Sequence, residues 1–139
     1  MPEDLIRRYF AAFNAGDLEA MLACLAEDVV HDVNQGERRH GKAAFGTFLA
    51  HMARCYAEEL RDIEVMVAPG HARREGARAA AEFMVHGRYL ATDTGLPPAH
   101  GQPYELPAST FFEVQDGQIR RVTTYYNLQA WLTQVGARG

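Results

Sequence analysis

Apolar positions first recur at helical spacing. Leu5, Ile6, Tyr9, Phe10 and Phe13 share one face, which predicts an amphipathic helix over residues 3–14. Gly16 suits a left-handed helix end, and Asp17 is placed to cap a second helix with Leu18, Met21, Leu22 and Leu25 on its buried side. The period then shortens to two. Residues 27–36 read as a strand, with Val29, His31 and Val33 on one side and Val30, Asp32 and Asn34 on the other. After a turn between Gly36 and Gly41, a third helix is expected over residues 42–58, carried by Phe45, Phe48, Leu49, Met52 and Tyr56.

From Leu60 onward alternation dominates. Ile63, Val65 and Val67 define a strand that stops at Pro69-Gly70, and Arg73-Arg74-Glu75-Gly76 reads as a turn. A second strand over residues 78–90 puts Ala79, Ala81, Phe83, Val85, Gly87 and Tyr89 on its more apolar face. Residues 91–103 are rich in Pro and Gly and long for a hairpin, as a rim or lid over a cavity would be. Two further strands flank the hairpin turn Asp116-Gly117. The first places Leu106, Ala108, Thr110 and Phe112 together; the second places Val122, Thr124 and Tyr126 opposite Arg121, Thr123 and Tyr125. Leu128, Trp131 and Val135 predict a short closing helix.

Helices followed by antiparallel strands make an α+β chain, and 139 residues make one domain. A sheet covering three N-terminal helices curls into a cone around them, and the gap between is the natural pocket. A net charge of −4 with scattered arginines argues against nucleic acid or an acidic membrane surface as partner. No stretch approaches the roughly eighteen apolar residues of a membrane span. The two cysteines, Cys24 and Cys55, sit in helical patterns as reduced thiols would, and the N-terminus has no apolar leader, so a cytoplasmic location is expected.

Candidate chemistry concentrates in few places. His31 and Asp32 are titratable neighbours inside an apolar run, and strand geometry sends them to opposite faces. Tyr9 lies mid-stripe, either bonded to a backbone carbonyl in the core or donating into a pocket. His51, at the edge of the third helix's stripe, reads as a solvated or capping histidine, and His100 as solvent-facing. No spacing suggests a metal centre or another cofactor. Phe111 and Tyr125 interrupt otherwise polar faces, which fits a homodimer contact through the sheet.

The chain resembles the nuclear transport factor 2-like superfamily. The marks are Tyr9 to Asp17 followed by Leu18-Glu19-Ala20, then Leu25 to Val30, Gly36 to Gly41, and Phe112 to Ile119. Within it, the segments from His31 to Gly36 and from Val122 to Leu128 are most similar to SnoaL-like and ketosteroid-isomerase-related proteins. The resemblance implies a curved sheet, a cone-shaped pocket for a small hydrophobic molecule, and a homodimer. It also supplies a chemistry. Steroid isomerase uses an aspartate base with a tyrosine and a neutral aspartic acid as oxyanion donors. Tyr9 matches that tyrosine, Val33 falls in the base slot one residue beyond Asp32, and Thr110 takes the acid slot. A bulge would be needed to turn Asp32 inward.

The expected function is a cofactor-free isomerase, cyclase or dehydratase moving protons on a carbonyl compound. His31 or Asp32 is the expected base, with Tyr9 as catalytic donor. Tyr126, Thr110, Phe112, Phe83, Met52 and Trp131 are the expected substrate contacts. The alternative is a non-catalytic domain that binds a small ligand in the same pocket.

Overall fold

The computed structural model describes residues 2–34, 36–68 and 76–136. Two helices open the chain, α1 (Pro2–Ala15) and α2 (Leu18–Ala23), followed by β1 (Leu25–Val33) and the short β2 (Arg39–His40). Then come α3 (Lys42–Cys55), β3 (Tyr56–Val67), β4 (Ala77–Tyr89), β5 (Gln102–Gln115), β6 (Gln118–Tyr126) and α4 (Leu128–Gly136). The six strands form one open mixed sheet in the order β2-β1-β6-β5-β4-β3. Only the β1–β6 pairing is parallel. The architecture is α+β, as the hydrophobic pattern requires.

The faces follow the alternation closely. Along β5 every second residue from Gln102 to Val114 is buried, because those side chains meet the helices while their neighbours face outward. Ile6, Tyr9 and Phe10 of α1 pack on this inner face. Asn14 locks α1 in place by completing a strand edge: its Nδ2 donates to the Leu60 carbonyl and its Oδ1 accepts from the Leu60 amide, each at 2.9 Å. At the far end, Gln134 of α4 makes the same paired contact with the Glu105 backbone, at 2.8 and 2.9 Å. Trp131 and Val135 are the buried residues of α4.

Two element boundaries differ from the sequence reading. Leu25 belongs to β1 and not to α2. More consequentially, α3 stops at Cys55 and β3 begins at Tyr56, so residues 56–58 are strand. Tyr56 continues the helical stripe at i+4 from Met52, which hides the break. The Pro69-Gly70 stop and the Arg73-Arg74-Glu75 turn lie outside the described residues. No helix among the described residues is long and apolar enough to cross a membrane.

Candidate functional site: a cavity with two carboxyl groups

Between sheet and helices lies a largely apolar cavity of about 270 Å³. Tyr9, Phe10 and Phe13 of α1 form one wall, and Phe45, Phe48 and Met52 of α3 another. The sheet contributes His31 and Val33 from β1, Thr110 from β5, and Thr124 and Tyr126 from β6. At the α4 end stand Tyr56, Glu58, Asp93, Tyr104 and Trp131.

Of the expected catalytic residues Tyr9 and His31, and of the expected contacts Tyr126, Thr110, Phe83, Met52 and Trp131, border the cavity. Phe112 does not. It is fully buried behind the wall, edge-on to Tyr9 at 5.8 Å and to Phe10 at 5.7 Å. Its place is structural.

Asp32 also fails to reach the cavity. Its pairings with β6 run without interruption, Val30 to Arg121, His31 to Val122, Asp32 to Thr123 and Val33 to Thr124, and the irregularity in β1 lies earlier, between Leu25 and Val30. No bulge turns it inward. It lies on the outer face instead, gripped by Arg38 at 2.8 and 3.1 Å and by the Thr123 hydroxyl at 3.1 Å. The Arg38 hydrogen bonds hold its carboxyl below the usual range, with Thr123 and Arg121 adding to the effect. An acid so stabilised as an anion is a poor base.

His31 does face inward, but its environment changes its chemistry. It stacks on Phe45 at 4.1 Å and meets Phe48 edge-on at 4.7 Å. Burial, followed by the Arg39 charge, pushes its pKa down to about 4, against a smaller opposing pull from Asp32. Its Nδ1 is buried without a hydrogen-bond partner. The imidazole is neutral at pH 7 and a weaker base than an ordinary histidine. Tyr9 resolves toward the pocket: its ring borders the cavity, and its hydroxyl makes no hydrogen bond to any described residue. Burial raises its pKa, so it remains a neutral donor.

The groups that sequence reasoning missed are Glu58, Tyr104, Asp93 and Tyr56. Glu58, Gly87 and Tyr104 lie side by side on three adjacent strands. A Cβ on Gly87 would collide with the Tyr104 ring, so glycine lets that ring lie across the middle strand. The Tyr104 hydroxyl then donates to Glu58 Oε2 at 2.5 Å. Burial raises the Glu58 pKa, and the Tyr104 hydrogen bond offsets this only in part. Asp93 arrives from the loop after β4. Tyr56 donates to its Oδ2 at 2.7 Å, and His51 Nε2 lies 2.8 Å from its Oδ1. His51 is therefore tied to Asp93, with its side chain still 36% exposed. Burial would raise the Asp93 pKa, but the Tyr56 and His51 contacts together lower it. The alternation Tyr56, Glu58, Leu60 was the available signal, masked by the helix boundary.

His51, Cys55 and Asp93 bring three potential metal-ligand atoms within 4.8 Å of one another. The hydrogen bonds argue for a different use. An Arg54 guanidinium nitrogen lies 3.3 Å from His51 Nδ1, and since arginine only donates, the ring proton belongs on Nε2 and points at Asp93.

Comparison with known proteins agrees with this architecture. Residues 6–122 match the SnoaL-like domain. The chain belongs to the SnoaL-like family. Among solved structures, this SnoaL-like chain is 58% identical to a candidate polyketide cyclase from Pseudomonas putida, over 94% of this chain and 95% of that one, with a TM-score of 0.86. A candidate polyketide cyclase from a Silicibacter species is 56% identical over 96% and 93% of the two chains, with a TM-score of 0.89. A third, from Xanthomonas campestris, is 54% identical over 95% and 94%, with a TM-score of 0.85. No curated protein matches the chain.

Proposed function

We propose that this SnoaL-like protein is a cofactor-free acid–base enzyme of the isomerase or cyclase type, acting on a hydrophobic carbonyl compound. The observation that carries this reading is the pair of carboxyl groups in one apolar cavity, pushed in opposite directions. Glu58 is raised toward neutrality by burial, and Asp93 is held as an anion by Tyr56 and His51. Such divergence assigns roles. A base works best with a pKa near the operating pH, which favours Glu58 over Asp93. The candidate cyclases at more than half identity support a ring-closing reaction.

In this reading Glu58 Oε1, which no described residue occupies, takes a proton from carbon next to the carbonyl. The C–H electrons pass to the carbonyl oxygen as an enolate. The hydroxyls of Tyr9 and Tyr126 stabilise that oxygen; burial and the nearby Glu58 and Asp93 charges keep Tyr126 protonated. Protonated Glu58 then returns the proton, either to a different carbon or to the alkoxide left when the enolate carbon attacks a second carbonyl. Neutral His31 and Thr110 contribute hydrogen-bonding capacity at the opposite wall. The two free buried cysteines suit a reducing, cytoplasmic setting. The exposed Phe111–Tyr125 ring pair, 5.9 Å apart, is the proposed centre of a homodimer contact.

The test is exchange of the carbon-bound protons of β-tetralone in deuterium oxide, followed by proton NMR. Glu58→Gln is expected to lower the protein-dependent rate by about 100-fold or more. If wild-type protein binds the ketone without accelerating exchange, the pocket is a binding site and the enzyme reading fails.

A further inference from the structure

The cavity is built for one sign of charge. Its lining includes two carboxyl groups, Glu58 and Asp93, and no lysine or arginine. Its histidine, His31, is buried among phenylalanine rings and neutral. An anionic ligand would therefore meet the Asp93 carboxylate with only the Tyr56 and His51 hydrogen bonds to offset it and no lysine or arginine in the lining, while a cation would meet an opposite charge in a site of low dielectric.

The carboxyl groups are also walled by aromatic rings. Trp131 lies 6.1 Å from the Tyr56 ring at 62° and 5.9 Å from the Tyr104 ring at 73°. Trp131 thus stands edge-on to both rings, with Tyr89 packed against Tyr56 and Trp131, and Tyr126 borders the same cavity. Each carboxyl is tied to one of these rings, Asp93 to Tyr56 and Glu58 to Tyr104. Aromatic faces backed by carboxylates are the surface that alkylated ammonium groups prefer, because the ring quadrupole attracts charge without demanding hydrogen bonds. Across the cavity, Tyr9 is 6% exposed and its hydroxyl has no partner among the described residues. That donor, on a residue that borders the cavity, is open to an acceptor at the other end of the same ligand.

We propose that the cavity selects a compact molecule with a cationic, alkylated amine held between Tyr56, Tyr104, Trp131 and Asp93, and a carbonyl-type acceptor directed at Tyr9. This rests on the proposed function for the carbonyl end and adds the charge of the substrate. In it Asp93 serves as the permanent counter-charge, which leaves Glu58 free to move the proton.

The sole tryptophan, Trp131, reports occupancy of this end of the cavity directly. Its fluorescence, excited selectively over tyrosine, is titrated with benzyltrimethylammonium, with neopentylbenzene, which has the same shape without the charge, and with phenylacetate. The expected result is at least tenfold tighter binding of the cation than of neopentylbenzene, and no binding of phenylacetate. Asp93→Asn is expected to erase the preference between the first two while neopentylbenzene still binds. Equal or weaker binding of the cation by wild-type protein, or no binding of it, overturns the proposal. The titration needs no turnover, so it separates the two readings. Loss of cation preference with β-tetralone exchange intact sinks the charge assignment alone, and the converse sinks the acid–base reading alone.

Discussion

At the scale of single residues, the site turns on which side of a strand a carboxylate occupies. His31 and Asp32 were legible as neighbours on opposite faces, because a strand's period of two leaves no choice once its register is unbroken. Glu58 was not legible, since it stands beside residues whose spacing imitates a helix. Tyr9 was legible as a stripe residue, but its direction depended on the sheet that packs against it. Two consequences follow. Removing the Tyr104 hydroxyl takes a donor from the Glu58 carboxylate and so raises its pKa further. Tyr104→Phe is therefore expected to move the acid limb of the exchange rate to higher pH, measured as a pH–rate profile; an unmoved limb would place the limiting ionisation elsewhere. His31 has a folded pKa below its unfolded one. Between about pH 4 and 6.5 the unfolded chain binds the extra proton, so this contribution to stability is complete above about pH 6.5 and is lost as the pH falls toward 4. A shift from 6.5 to about 4 corresponds to about 3 kcal/mol. Urea midpoints at pH 7 and pH 4.5 should differ less in His31→Phe than in wild type. An equal acid loss in both would mean that His31 is not the group responsible.

At the scale of elements, the loop between β4 and β5 is what brings Asp93 to the cavity. The Pro and Gly content pointed to a long rim or lid, but not to what it carries. Its anchor is Tyr89, a fully buried residue of β4 whose hydroxyl donates to the Pro97 carbonyl at 2.6 Å and accepts from the Asp93 amide at 3.0 Å. Tyr89 read simply as an apolar-face residue, because a hydroxyl's partner lies in the tertiary structure. Tyr89→Phe keeps the ring and removes both bonds. It should cost about 1–3 kcal/mol in chemical denaturation. Hydrogen exchange should quicken in residues 91–101 and leave β5 unchanged; uniform quickening across the sheet would show that Tyr89 supports the core and not the loop.

For the whole molecule, the order of elements and the inward faces of β4 and β5 were readable because each strand is long and keeps a strict alternation. The one parallel pairing, β1 with β6, is a tertiary choice that local pattern does not encode. The outer face carries the exposed Phe111 and Tyr125, 39% and 50% accessible, on strands whose other outward residues are largely polar. Sedimentation at micromolar concentration is expected to show a dimer, and Phe111→Arg to shift it to monomer. A wild-type monomer under those conditions would remove the sheet-face contact from the account.

The central claim is that proton transfer belongs to the cavity carboxyl and not to the aspartate next to His31. It is tested by β-tetralone exchange with Glu58→Gln and Asp32→Asn measured side by side. A loss of about 100-fold or more is expected in the first and a rate within a few-fold of wild type in the second. Normal exchange in Glu58→Gln with loss in folded Asp32→Asn would contradict it.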